Sequence, residues 1–388
     1  MRSVELFSGA GGLALGLEKA GFESVAHIEK NQDACATLRL NRPKWTVVED
    51  DIQTVDFSPI ANIDLVAGGP PCQPFSMGGS AKGYNDTRDM FPQAVRAVRE
   101  LQPKAFVFEN VRGLLRESFR NYVEFIRLQL TYPTFPISRN VRWEDNLRRL
   151  ERHHTSAKKD ADLTYKVTIN LADAANFGVP QRRHRVFFVG FRSDIDAKWF
   201  FPTTTHSHDE LIKSQFVTGA YWREHGLPFT PEVPSRLGGR IARLCCDSGL
   251  FESAKPWRTV RDAIRDLGEP SSSSSFADHF LQAGARSYPG HTGSPLDEPS
   301  KALKAGDHGV PGGENMLRYT DGKVRYFSVR ESARIQTFPD DWCFYGSWTE
   351  SMRQLGNAVP VELGFQVAQS VRDHMMPNGQ RKRIQPTG

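Results

Sequence analysis

The residues with the clearest chemical potential begin with a single thiol. Cys72 lies in Gly68-Gly69-Pro70-Pro71-Cys72-Gln73-Pro74-Phe75-Ser76. Pro70, Pro71 and Pro74 fix φ and donate no ladder hydrogen bonds, so this segment reads as a stiff loop. A stiffly held thiol suits a nucleophile, because a reacting sulfur must be positioned closely. The ordinary alternative is a buried structural cysteine. Glu109, in Glu109-Asn110-Val111, could act as an acid, although a lone carboxylate is more often a cap or an ion-pair partner. In Gln181-Arg182-Arg183-His184-Arg185, strand alternation puts Gln181, Arg183 and Arg185 on one face as convergent donors. A solvated charge run is the bland reading of that cluster.

The elements around these residues place them together. Residues 63–67 form a short apolar run that reads as a buried parallel strand ending just before Cys72. Residues 105–108 form another, ending at Glu109. In an open α/β sheet, chemistry collects at the carboxyl ends of strands, so both residues are expected on one rim. At the N-terminus a strand over 4–7 leads into Gly9, Gly11 and Ala14, which fit G-x-G-x-x-A ahead of a helix. A second strand over 24–28 ends at Glu29, where an acid could bind ribose hydroxyls, and a third over 46–48 leads to Asp51 and Ile52. This pattern serves NAD, FAD and S-adenosylmethionine sites alike, and a glycine-rich turn without ligand would also produce it. A helix over 88–100 is stopped by Pro103, and segments 165–170 and 186–190 are expected to close the sheet as a strand pair. Residues 114–164 read as a charged surface crossover with helical stretches and no chemistry.

From about 201 the α/β rhythm is lost, and 271–275 is a serine run suited to a loop. Regular structure resumes with a helix over 328–338, and a last helix runs to about 375 before a basic tail. The chain has 388 residues, 39% hydrophobic and 24% charged, a length that predicts a large core and two domains. No apolar run reaches the roughly 18 residues of a membrane span. The N-terminus leads directly into a strand, so no signal peptide is expected. The five cysteines are scattered, which argues for a reducing compartment and against a disulfide framework; no metal spacing appears. A net charge of +5 permits a polyanionic partner without demonstrating one.

Taken in order, these motifs resemble the DNA (cytosine-5)-methyltransferases of bacterial restriction–modification systems. The resemblance rests on Phe7-x-Gly9-x-Gly11-Gly12, Pro70-Pro71-Cys72-Gln73-Pro74-Phe75-Ser76, Glu109-Asn110-Val111, Gln181-x-Arg183-x-Arg185, Arg330-Glu331-x-x-Arg334 and Gly356-Asn357-Ala358-Val359. It spans nearly the whole chain except about 202–325. Two departures stand out. The commoner Gly-Asn-Ser-Val carries Ala358 here, and Lys30 follows Glu29 where an apolar or aromatic residue often packs on adenine.

The resemblance implies an α/β architecture: a Rossmann-like S-adenosylmethionine-dependent methyltransferase sheet domain over 1–201, a smaller loop-rich target-recognition domain over 202–350, and a return to the catalytic domain over 351–388. It assigns the catalytic roles to Cys72, Glu109, Arg183 and Arg185. Cofactor contacts fall to Phe7, Gly9, Gly11, Glu29, Asp51, Ile52, Asn357 and Val359, with no metal. The implied partner is double-stranded DNA from which the target cytosine is flipped out. The implied protein is a monomer in the bacterial cytoplasm, on the nucleoid, paired functionally with a restriction endonuclease. Arg236, Arg240, Arg243, Arg286, His291 and Asn315 are candidate readers of base edges. A tRNA cytosine-5 methyltransferase shares the chemistry, but the Cys-Phe-Thr tripeptide of that branch is absent. A non-catalytic relative would lack the thiol or the acid, and an NAD dehydrogenase accounts only for Gly9 to Glu29.

Overall fold

Short apolar runs of the N-terminal half become strands because they can be buried on both faces. β1 (Arg2–Leu6), β4 (Leu65–Gly68) and β5 (Ala105–Val111) are almost wholly buried, while β2 (Glu23–Glu29) and β3 (Val47–Glu49) lie toward the sheet edge and are less so. The structure is a computed structural model that describes residues 1–71, 89–138, 140–156, 163–195, 197–229, 233–246, 254–306 and 313–376. β6 (Tyr165–Asp173) and β7 (His184–Arg192) complete a seven-stranded sheet of order β3-β2-β1-β4-β5-β7-β6. The first five strands are parallel, and β7 runs antiparallel to β5. Strand order reverses between β1 and β4, which creates a switch point at their carboxyl ends.

The helices that belong with this sheet are α1 (Gly12–Lys19), α2 (Gln32–Asn41), α3 (Phe91–Leu101), α4 (Arg120–Thr131) and α5 (Trp143–Thr155), followed near the C-terminus by α6 (Trp348–Asn357) and α7 (Val361–Met375). The stretch expected to be a surface crossover is partly core. Leu114, Tyr122, Phe125, Ile126, Leu128 and Leu150 are buried with the sheet residues Phe106, Phe108 and Phe188. The amphipathic faces of α4 and α5 explain the difference: one side of each is apolar, and the charges that dominate the composition lie on the other.

This sheet, its helices and the stretch from Trp342 onward form one compact unit, made of Met1–Ala172, His184–Pro202 and that C-terminal stretch. The return therefore starts at 342, not at 351. Trp342 is fully buried, and a Cβ on Gly11 would lie 3.0 Å from its ring; Cys343 N–H donates to Asn41 Oδ1 at 2.8 Å. Thr37 Oγ1 donates to Gln354 Oε1 at 2.8 Å, tying α2 to α6. α1 and α7 approach so closely that a Cβ on Gly16 would sit 2.7 Å from the Gly364 carbonyl carbon.

The second unit comprises Asp173–Arg183 and Thr203–Asp341. Residues 173–183, expected in the first domain, belong here because Gln181–Arg182 pairs with Ser300–Lys301. Its elements are short, and its core is correspondingly divided. One cluster gathers Val260, Ile264, Leu303, Leu317, Phe327 and Ile335, and another Ala175, Leu211, Tyr221 and Trp257. Polar anchors stabilise what long elements do not. Ser328 caps the helix Val329–Ile335 in a capping box with Glu331, whose two carboxylate oxygens accept from Arg325 at 2.7 Å each.

Candidate active site

β4 and β5 run side by side with Gly68 opposite Phe108, so Gly69 and Glu109 emerge together. Glu109 is 7% exposed, and its Oε1 is ion-paired with Arg185 Nε on the antiparallel neighbour β7. Burial pushes the Arg185 guanidinium below its ordinary range, and the Glu109 charge opposes that shift. Among the described residues Glu109 Oε2 receives no hydrogen bond. It faces Gly69, where an added Cβ would lie 3.2 Å away. Asn110 Nδ2 donates to the Pro70 carbonyl at 2.9 Å, and the Pro71 carbonyl accepts from Met90 N–H at 3.0 Å. The start of the Pro-Pro-Cys loop is thus pinned beside a buried carboxylate. Cys72 itself lies outside the described residues.

At the other side of the switch point the rim is acidic. Phe7 (φ 57°), Gly9 (φ 51°) and Gly11 (φ 88°) are left-handed, turning the chain sharply off β1. A non-glycine residue in this region costs ~1–2 kcal/mol and is characteristic of ligand sites. Nothing lies within 4 Å of where a Gly9 Cβ would be, so that backbone is open to an approaching group. Glu29 stands across from it at the end of β2. Its Oε2 accepts from Gly9 N–H at 2.8 Å, and its Oε1 from Lys30 and Asn31 N–H at 2.9 and 2.8 Å. Asp51 follows β3; backbone hydrogen bonding from Gln53 holds its carboxyl below the usual range, with Lys30 Nζ 3.6 Å away. Ile52 is buried beside it. Gly12 explains how Val359 reaches this rim: a Cβ there would lie 2.1 Å from the Val359 carbonyl. Val359 is buried and Asn357, at the end of α6, exposed. A separate cavity of about 240 Å³, lined by Ser24, His27 and Trp45 among others, contains none of these residues.

The predicted face of Gln181, Arg183 and Arg185 is divided by the structure. Gln181 and Arg183 belong to the second unit, Arg185 to the first. Gln181 accepts from Leu303 N–H at 3.0 Å and donates to Gln336 at 3.1 Å. Arg183 is 1% exposed and donates to the Leu303 carbonyl at 2.8 Å. Among the candidate base readers, Asn315 is fully buried and bridges Lys304 N–H and its carbonyl, which makes it a scaffold residue. Arg236 and Arg240 are ion-paired with Glu298 and Asp209, and Arg243 and Arg286 are exposed. His291 stacks on Tyr288. The part played by Asn110 was missed by sequence reasoning, although the residue sits inside the Glu109-Asn110-Val111 motif.

A sheet of this order, with a glycine turn after β1 and acids after β2 and β3, is that of the S-adenosylmethionine-dependent methyltransferases. The fold is shared with the S. pombe Dnmt2 methyltransferase, at TM-score 0.56 and 18% identity over 96% of this chain and 98% of that one. The profile of the C-5 cytosine-specific DNA methylases matches residues 1–373. Type II methyltransferase M.Eco47II of Escherichia coli is 34% identical over 375 residues, 95% of this chain and 78% of that protein. M.NgoMIV of Neisseria gonorrhoeae is 32% identical over 373 residues, 95% and 96% respectively. The chain belongs to the C-5 cytosine-specific DNA methylase family and is a DNA (cytosine-5)-methyltransferase of the restriction–modification type.

Proposed function

We propose that Cys72 is the nucleophile of this methyltransferase and Glu109 its acid. The observation that carries the assignment is the buried Glu109–Arg185 pair beside the pinned residues Pro70 and Pro71. Cytosine C5 is a weak nucleophile; addition of the Cys72 thiolate to C6 makes it enamine-like. Glu109 holds N3 and the exocyclic amine and gives N3 a proton as the ring becomes electron-rich. Arg185 orients Glu109 and binds O2, whereas Arg183, expected to share that role, is buried and held by the Leu303 carbonyl. After methylation at C5, a base such as water takes the C5 proton, Cys72 leaves as thiolate, and N3 returns its proton to Glu109, which restores the ring.

The acidic rim fits S-adenosylmethionine: the open backbone of Gly9, the fixed carboxylate of Glu29 and the Gly12–Val359 approach match an adenosine joined to an amino acid. That cofactor supplies an electrophilic methyl group when bound. Phe7 and Ile52 pack on its adenine, Asp51 takes the adenine amine and Glu29 the ribose hydroxyls. Gly11, Asn357 and Val359 lie toward the methionine end. No metal takes part in this reading. The first unit is the catalytic domain and the second recognises the target sequence. The protein works as a cytoplasmic monomer on nucleoid DNA, opposite a restriction endonuclease; no helix among the described residues is long and apolar enough to cross a membrane.

Duplex DNA carrying 5-fluorocytosine tests the assignment, because fluorine cannot leave as a proton does. Wild-type protein should form a denaturation-resistant complex with it, and Cys72→Ala should not. An adduct formed equally well by Cys72→Ala overturns the nucleophile, and one formed only on tRNA overturns the substrate.

A further inference from the structure

The second unit holds a cationic assembly that none of the motif residues explains. Trp257 is 7% exposed and fixed by its Nε1, which donates to Asn176 Oδ1 at 2.9 Å. The Arg182 guanidinium lies 5.4 Å from the Trp257 ring centroid. The His208 ring stacks on the same indole at 4.6 Å and 18°. Arg240 Nη1 is 3.1 Å from His208 Nδ1; arginine has only donors, so that nitrogen accepts. Desolvation, then Arg240 and Arg182, push the His208 imidazole below its ordinary pKa and favour its neutral form. Lys255, two residues before Trp257, is exposed, as is Arg258, and neither is ion-paired among the described residues.

The acids nearby do not balance this set. Asp173 pairs with Arg182 through Oδ2, 3.6 Å from Nε, which leaves no nearby acid for Lys255 and Arg258 among the described residues. Asp209 is engaged by Arg240. Arg182 remains 55% exposed while its guanidinium carbon lies over the indole. Contact with the ring restricts a guanidinium at little cost to its donor edge, which leaves its N–H groups available to the oxygens of a phosphate. Because Trp257 is buried, the platform offers no face on which a base could stack. What it presents is charge on a rigid support.

We infer that Arg182, held on Trp257, together with Lys255 and Arg258, clamps backbone phosphates of duplex DNA. This rests on the methyltransferase reading above and adds to it a sequence-blind contact: the clamp sets where the duplex lies, and other side chains read its bases.

Equilibrium binding of the full-length protein to two duplexes, one it methylates and one scrambled, measured against salt concentration, tests the clamp. Arg182→Gln and the double charge reversal Lys255→Glu with Arg258→Glu should weaken both duplexes by the same factor. Each should also flatten the salt dependence by ~0.9 in log–log slope for every phosphate left without its cation. Arg182→Lys, which keeps the charge but loses the fork, should fall between wild type and Arg182→Gln. An unchanged slope, or a loss confined to the methylated duplex, overturns the clamp. The reversed residues are exposed, so that double variant decides the matter if Arg182→Gln fails to fold. Wild-type protein that neither binds nor methylates duplex DNA overturns the clamp and the underlying reading together; variants that match a methylating wild type overturn the clamp alone.

Discussion

Each unit buries a glutamate against an arginine, and the two pairs are built differently. In the second unit Glu331 accepts from both Nη atoms of Arg325 at 2.7 Å and from Ser328 N–H at 2.8 Å. Its carboxylate is fully committed, fastening strand Val324–Tyr326 to the start of helix Val329–Ile335. In the first unit Glu109 meets Arg185 through one oxygen, and among the described residues the other has no donor. That second oxygen, Oε2, is not one of the fully buried unpartnered atoms, so it stays reachable beside Gly69 and can accept from a ligand. Saturated partners identify a strut, and an unsaturated one identifies a site.

Removing the acid sharpens that contrast most. Glu109→Gln keeps volume and loses the proton, so turnover should fall by ~10²–10⁴ with little change in the denaturation midpoint. Steady-state methylation alongside urea unfolding reads both, and full activity would return Glu109 to the scaffold.

Glu331→Ala should do the reverse. Breaking the buried pair leaves Arg325 with only the exposed Glu269 as a carboxylate partner, costing about 3–5 kcal/mol of stability. Methylation per folded molecule should be retained. A stability change under about 1 kcal/mol would break the comparison at its structural end.

Smaller again is Gly69→Ala. Its Cβ would sit 3.2 Å from Glu109 Oε2, so the carboxylate must move by a few tenths of an ångström. A displacement of that size should lower turnover roughly tenfold, with folding intact. Wild-type kinetics would mean that the position of Oε2 does not matter.

The smallest effect concerns a third pair, Glu5 and His27, at 3.0 Å with both side chains buried. Burial pushes the Glu5 carboxyl above its ordinary value. The folded state then favours the protonated acid, so this group's stabilising contribution is complete below the unfolded pKa and is lost as pH rises through the folded one. Between those limits the stability of Glu5→Gln should decline less with rising pH than that of wild type. Thermal midpoints measured across pH check it, and parallel curves would count against it.

Much of the first unit was legible because its signals are local. Gly9 and Gly11 mark a turn, Glu29 and Asp51 follow apolar strands, and Glu109 ends another; each needs only its chain neighbours to be recognised. The composition of 114–164 misled because charges on the outer faces of α4 and α5 outnumber the residues those helices bury. In the second unit little beyond the helix after Ser328 was readable, since strands of two or three residues carry no usable periodicity.

The sequence by itself determined the order of the motifs, the strand ends that carry them and the family they define. Tertiary structure decided which like residues diverge. Arg183 is tethered to the Leu303 carbonyl while Arg185, two positions on, meets Glu109. Asn315, a plausible base reader by type, is sealed in a loop by Lys304. Gly12 is a glycine because the Val359 carbonyl occupies the place of its Cβ. These outcomes depend on partners distant in the chain, or across a loop with no periodicity, and such pairings are set by packing and hydrogen-bond completion, not by local propensity.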